Sequence, residues 1–342
     1  MDAFAPELAT TARSWTAGNV CVHAPARLHL GFLDPAGSLG RAFGSLGIAI
    51  TDLETVVEVG AGGSDVFEAP CGDTLALERA RAHVNALRRA TGIRAPLSLR
   101  LRGSLPAHVG LGSGTQLALA VGHAFCTAFH HAMGSAQIAA LLGRGARSGI
   151  GVAAFEAGGL LLDGGPRADG SPAPLLARIA VPAGWRILLV LDPRVQGLSG
   201  AAERAALAQL PPLPRADAAE ICHQVLMRVL PGAAGGEFAA FAAGVSRMQE
   251  VLGAHFAPVQ GGRAFASAPV QRLLHWIANH ATAGIGQSSW GPAGFAFLPS
   301  EAQAHELLAA AHAAFVVDPA LELRLVRPRN HGALVSDGRA QG

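Results

Sequence analysis

A glycine-rich turn that runs directly into a long apolar segment dominates this chain. In "RGSLPAHVGLGSGTQLALAVGHAF", Arg102 to Phe125, Gly110, Gly112 and Gly114 stand between an alternating stretch, "PLSLRLRGS", and a run from Thr115 to His131 that is apolar on nearly every side. The alternation of Leu97, Leu99 and Leu101 predicts a strand, and the all-round apolar run predicts a helix buried at the centre of a domain. Glycines allow close backbone approach, and free amides at a helix start direct partial positive charge at an anion. Gly110, Leu111, Gly112, Ser113, Gly114 and Thr115 are therefore read as a phosphate-binding loop. Thr115 and Leu117 break the G-x-G-x-x-G spacing of dinucleotide folds, and no lysine follows as a Walker loop requires.

The missing lysine is general. All 26 basic residues are arginine, and the chain has no tyrosine. Schiff-base chemistry and dehydrogenases built on a Tyr/Lys pair are excluded, and any cationic contact to phosphate falls to arginine, histidine, a metal ion or backbone amides. A net charge of +2 with dispersed arginines leaves no footprint for nucleic acid or an anionic membrane, so small molecules are the expected partners. No apolar run is long enough for a membrane span, and "MDAFAPELATTARSWTAGN" does not read as a signal peptide but as a frayed lead-in to the first strand, which points to a soluble, cytoplasmic protein. Four dispersed cysteines without a CxxC pair fit neither zinc nor a disulfide framework.

At 342 residues two domains are expected, 1–183 and 184–342, with the boundary near the buried strand "WRILLVLD". In the first, "VCVHAPARLHLGF" alternates, placing His23, Arg27 and His29 on one face of a strand. "DTLALERARAHVNALRRA" reads as an amphipathic helix, and a further helix is expected over Ala136 to Arg144. The second half predicts helices near 200–209, 217–230, 235–254 and 270–280. Asp217 with Glu220 would cap the second of these, and Gln196, Ser199 and Glu203 would open the first. "GFAFL", a helix opened by Ser300, and "LELRLV" complete an α+β pattern.

"PAHVGLGSGTQLALA" resembles the second motif of the GHMP kinase superfamily. "APARLHLGFLD" (Ala24–Asp34) and "GIGQSSWGPAGFAF" (Gly284–Phe297) stand where the superfamily's first and third motifs stand. The resemblance covers nearly the whole chain and implies an N-terminal domain like ribosomal S5 domain 2 and a ferredoxin-like C-terminal domain. Two departures are informative. Kinases of this group often place an aspartate in S-G-x-D to activate a hydroxyl; here "SGIGVAAFEAGG" has Gly151 at that place, and the second serine of the loop is Gly114. A positioned base is worth roughly 10²–10⁴-fold, so its loss argues against phosphoryl transfer to an alcohol.

"RLHLGFLD", "GLGSGTQLALA", "GIGVAAFEAGG" and "GQSSWGP" together look like the β-ribofuranosylaminobenzene 5′-phosphate synthases of methanopterin synthesis. That resemblance implies a decarboxylating phosphoribosyl-type transferase using phosphoribosyl pyrophosphate and 4-aminobenzoate or 4-hydroxybenzoate, a divalent cation such as Mg²⁺, and no ATP. On this reading Arg27, His29 and Asp34 are catalytic candidates, Arg144, Gln287, Ser288, Ser289 and Trp290 bind substrate, and Asp34 and Glu156 are candidate metal ligands; Arg147 would meet phosphate. The alternatives are an ATP-dependent kinase of the same fold and a non-catalytic binder on its scaffold. The superfamily contains dimers, so a homodimer is an open possibility.

Overall fold

The computed structural model describes residues 19–337, apart from positions 168, 170 and 199; the N-terminal lead-in and the expected opening role of Ser199 lie outside the described residues. The chain begins with two long strands, β1 (Val20–Asp34) and β2 (Phe43–Ala61), then β3 (Val66–Glu68), helix α1 (Thr74–Thr91) and β4 (Leu97–Gly103). Helices α2 (Ser113–Ala128), α3 (Ser135–Leu141) and α4 (Ile150–Glu156) lead to β5 (Leu160–Asp163) and β6 (Leu175–Ile179). The second half runs β7 (Arg186–Leu191), α5 (Gly200–Gln209), α6 (Arg215–Gln224), α7 (Leu230–Gly235), α8 (Phe238–Phe256) and α9 (Ala268–His280). It ends with β8 (Gly284–Gln287), β9 (Gly294–Leu298), α10 (Glu301–Ala313), β10 (Glu322–Val326) and β11 (Leu334–Asp337).

Two sheets result. In the first, the order is β11-β1-β2-β4-β3, with β5 pairing the start of β2 and β6 pairing β5. In the second, the order β10-β7-β9-β8 joined by a β-α-β-β-α-β path is the ferredoxin-like arrangement expected from the motifs. Strand alternation decides the layers. Val20, Val22 and Ala24 of β1 pack with Val57, Val59, Leu97, Leu99 and Leu101 under α1 and α2, and Phe125 is fully buried there. Farther along β1, Ala26, Leu28 and Leu30 share a second core with Ile187, Leu189, Phe241, Phe295 and Phe297, which joins the two sheets. The outer face of the second sheet, Leu188, Val190, Ala296 and Leu298, is closed by α9 and α10.

Some expected boundaries move. The buried helix begins at Ser113, two residues earlier than apolarity alone indicated, because Gly112 adopts a left-handed conformation (φ 84°) and turns the chain into the helix. The Asp217/Glu220 cap does not form: α6 starts at Arg215 behind Pro214, and the Glu220 carboxylate accepts from Gln224 and Arg247 instead. That helix passes through a π-helical turn at 225–229 into α7, so one continuous rod stands where the pattern predicted a helix ending near 230. The helix expected to reach Arg144 stops at Leu141, which leaves Arg144 in the following turn. Ser300 caps α10 as expected, accepting from the Gln303 amide at 3.2 Å.

Candidate active site

β1 carries Arg27 and His29 to the mouth of the glycine loop. The Arg27 amide donates to the Leu111 carbonyl at 3.1 Å, and its guanidinium Nη1 donates to the Gly110 carbonyl at 2.7 Å. The third motif closes the same corner. The Ser288 hydroxyl accepts from the His29 amide at 3.0 Å and donates to the Gly110 carbonyl at 2.6 Å, and the Ser289 amide donates to the His29 carbonyl at 3.1 Å. Loop and strand are thus laced together by backbone groups. Gly110 (φ 92°) has no room for a side chain: a Cβ would lie 2.3 Å from the Ser288 carbonyl oxygen. No side chain caps α2, so its first-turn amides keep their capacity for a ligand.

The loop faces a cleft of about 650 Å³, lined also by β1, the turn 143–148, Leu198, Gly200, Glu203 and the turn 289–291. Four arginines line it: Arg27, Arg79, Arg144 and Arg147. Among the described residues its only carboxylate is that of Glu203, already paired with Arg147 at 2.7 Å. Burial brings the Arg27 pKa down to about 10 even with Glu203 in range, and burial followed by the charge of Arg79 also lowers Arg144. His29 is 5% exposed with both ring nitrogens unpartnered; burial first, then Arg27 and Arg147, push its pKa down to about 3, so it stands as a neutral imidazole. Such a field attracts a polyanion.

The turn bearing Arg144 and Arg147 is held by Asp163, which is 1% exposed and accepts from the Ser148 hydroxyl at 3.1 Å and the Gly149 amide at 2.8 Å. Gly151, where the kinase aspartate was expected and is missing, packs against the loop: a Cβ there would meet Thr115 Cγ2 at 2.8 Å, and Gln116 Nε2 donates to its carbonyl at 2.9 Å. Gly114 is likewise covered, with Arg144 Nη1 at 3.0 Å from where a Cβ would be.

Of the candidates read from sequence, Arg27, His29, Gly110, Gly112, Ser113, Gly114, Thr115, Arg144, Ser289 and Trp290 line the cleft. Leu111 is a core residue whose carbonyl serves Arg27. Trp290 is 4% exposed and leans on Phe256, ring centres 4.5 Å apart. Gln287 lies behind the wall, its Oε1 accepting from the Ala266 amide and its Nε2 donating to Gln260 and to the Ser289 carbonyl. Asp34 is not brought to the cleft. It is 2% exposed, and its oxygens accept from the Ala36 and Leu39 amides and the Ser38 hydroxyl, the work of an Asp-Pro turn. Glu156 is exposed at the end of α4.

The donors present therefore do not fit a protein-held divalent ion. Among the described residues no group of three His, Cys, Asp or Glu is placed to hold one, and hard cations take several oxygen ligands. Among the cleft residues not read as site candidates in the sequence are Arg79 from α1, His108 on the approach to the loop, and Phe32 from β1. Arg79 sits in a run of arginines on an amphipathic helix, where nothing local separates it from its solvent-facing neighbours.

Layered sheets, a glycine loop opening a buried helix and an anion-attracting cleft beside it define the architecture of the GHMP kinase class. Residues 78–159 match the family model for the GHMP kinases N terminal domain. Homoserine kinase from Cytophaga hutchinsonii superposes with a TM-score of 0.63 at 16% identity, covering 96% of this chain and 100% of that one. Phosphomevalonate kinase from Streptococcus pneumoniae gives 0.63 at 14%, covering 90% and 98%. Within that class the chain belongs to the β-ribofuranosylphenol 5′-phosphate synthase family. A member from Archaeoglobus fulgidus is 35% identical over 239 residues, 66% of this chain and 74% of the relative. One from Methanothermobacter thermautotrophicus is 32% identical over 292 residues, 80% and 86% respectively. Among the described residues no helix is long and apolar enough to cross a membrane.

Proposed function

We propose that this chain joins C1′ of phosphoribosyl pyrophosphate to a 4-substituted benzoate, forming a C-riboside 5′-phosphate in tetrahydromethanopterin synthesis. The single observation that carries the reading is a cleft with four arginines and one already-paired carboxylate, placed between a glycine phosphate loop and an aromatic wall. The relatives' name, a ribofuranosylphenol 5′-phosphate synthase, supports an aromatic acceptor.

In this reaction the ring carbon bearing the carboxylate bonds to C1′ as the C1′–O bond breaks, and the electron pair of that bond leaves with pyrophosphate. The bond from ring to carboxylate then breaks, its electron pair restores the ring, and neutral carbon dioxide departs. No hydroxyl has to be deprotonated, which accounts for Gly151 in place of an aspartate. What the protein supplies is electrostatic: fixed guanidinium groups and helix amides where negative charge grows. Arg27, tied to the Gly110 carbonyl, orients one phosphate against the loop. His29, neutral and unpartnered, offers a hydrogen bond to the acceptor without adding positive charge near a developing oxocarbenium centre. A divalent ion enters this reading only as one carried by the pyrophosphate of the donor, and ATP has no part in it.

The test is to incubate the protein with Mg²⁺, phosphoribosyl pyrophosphate and carboxyl-labelled 4-hydroxybenzoate or 4-aminobenzoate. Labelled carbon dioxide and pyrophosphate should appear in equal amounts. ATP consumption with an alcohol acceptor, and no label released, would replace this reading with a kinase; ligand binding without turnover would leave a binder.

A further inference from the structure

The cleft has two ends. A small recess beyond His29, Phe32, Ser289 and Trp290 shares those four residues with it, whereas a different recess shares Arg79, Ser113 and Gly114. No lining residue belongs to both recesses, so the aromatic wall and the Arg79 corner are separate parts of the cleft.

The Arg79 corner is the less neutralised of the two. Among the described residues neither Arg79 nor Arg144 is in an ion pair, while Arg147 is held by Glu203. Arg144 Nε is buried without a partner, and the missing side chain at Gly114 lets its guanidinium lie over the first turn of α2. Arg79 Nη2 stands 3.3 Å from His108 Nε2. The nearest carboxylate in that recess, Asp73, accepts from the Ala76 amide at 2.9 Å and the Ser104 hydroxyl at 2.8 Å, as the cap of α1. Behind them His83 is stripped of charge by burial and by Arg144 and Arg79. Two guanidinium groups with no carboxylate partner among the described residues, beside a helix start, form a site for a dense anion.

We propose that Arg79 and Arg144 hold the departing pyrophosphate, so that the ribose lies over the glycine loop and the acceptor ring stands against His29, Phe32 and Trp290. This rests on the transferase reading. A displacement at C1′ needs the attacking carbon and the leaving oxygen on different sides of the sugar, and the aromatic wall and the arginine corner, which share no lining residue, offer two separate places for them. A guanidinium stabilises the electron pair that leaves C1′ by charge and hydrogen bonding, with no proton to transfer. The two arginines supply positive charge in a cleft where, among the described residues, no cluster of three His, Cys, Asp or Glu is placed to hold a metal ion.

Titration calorimetry of the full chain with inorganic pyrophosphate, and separately with ribose 5-phosphate, tests this orientation. Arg144→Ala and Arg79→Ala should each weaken pyrophosphate about 10- to 100-fold and ribose 5-phosphate by less than about threefold, as loss of a charged hydrogen bond requires. Arg79 is half-exposed on α1, so its variant remains informative should Arg144→Ala melt early. Loss of ribose 5-phosphate binding instead would reverse the orientation. Unchanged pyrophosphate binding in both variants, or none by the parent protein, would remove the pair from the site. If pyrophosphate binding depends on the pair while no labelled carbon dioxide is ever released, the anion site stands and the transferase reading falls. Label release with pyrophosphate binding unaffected by the variants sinks the orientation alone.

Discussion

His29 makes the protein sensitive to acid in a particular window. Its folded pKa of about 3 lies below the ordinary 6.5, so between these values the unfolded chain binds a proton that the folded chain refuses. Stability therefore falls as pH drops from about 6.5 toward 3, by up to roughly 1.4 kcal/mol per pH unit for this group. His83, pushed to about 4 by burial, adds to the same slope. Denaturant midpoints measured from pH 7 to 4 should fall, and His29→Asn should flatten the curve; an unaltered slope in that variant would show the imidazole to be solvated. At Gly151, restoring the kinase aspartate should not restore a kinase. The new side chain meets Thr115 at 2.8 Å, and overpacking of this kind costs about 1–3 kcal/mol, so Gly151→Asp should melt earlier and leave ATP untouched with alcohol acceptors. Arg27, His29 and the loop glycines were legible because period-two alternation and glycine spacing are local signals. Asp34 misled because an aspartate before proline looks the same in sequence whether it meets a ligand or its own backbone. Arg79 was hidden because only tertiary packing brings one arginine of α1 over the loop.

Three elements meet through one hydroxyl. Ser288 joins the strand β1 to the loop before α2 from a turn that follows β8. Ser288→Ala leaves a buried amide and carbonyl without this partner, a cost of about 1–3 kcal/mol. The expected result is a lower melting temperature and a raised KM for the phosphoribosyl donor with the acceptor KM little changed; an unshifted melting curve would mean that water replaces the hydroxyl. The order of strands and helices was largely readable from the sequence, because long apolar periodicities in β1, β4, α1 and α2 are strong. The π-helical turn at 225–229 was not, since it lies where the rod of α6 and α7 packs against α8 and no local pattern marks it. β8 was also missed as a strand: "GIGQ" has no side-chain pattern, and its Gly286 and Gly284 are there to let α8 approach.

At the scale of the whole chain, the last residues return to the first sheet. Arg329, 5% exposed, donates to Glu54 of β2 and to the Gly332 carbonyl, and Glu54 is also 2.9 Å from His23 of β1. Hydrogen bonds that the protonated His23 donates to Cys21 and Glu54 raise it to about 9, and contact with His23 and Arg329 lowers Glu54 to about 2. The His23 contribution is complete below pH 6.5 and fades as pH rises through 9; that of Glu54 is complete above 4.5 and fades as pH falls through 2. Arg329→Ala should cost about 3–5 kcal/mol, the usual result of removing one partner of a buried pair, and hydrogen exchange should rise first in residues 329–337. Unchanged exchange there would mean that β11 is held by its ladder alone. A tail as short as "LVSD" carries too little pattern to announce that it completes a sheet begun three hundred residues earlier.

That return also fixes how the molecule bears load. Val20 pairs with Asp337 and His23 with Leu334, so the first and last described strands lie side by side and antiparallel. A force pulling Val20 and Asp337 apart acts across the ladder and opens its hydrogen bonds one after another, as a zipper opens, without shearing them together. That seam opens first under such a load, and the cleft residues Arg27, His29 and Phe32 lie farther along β1, away from the first bonds to break.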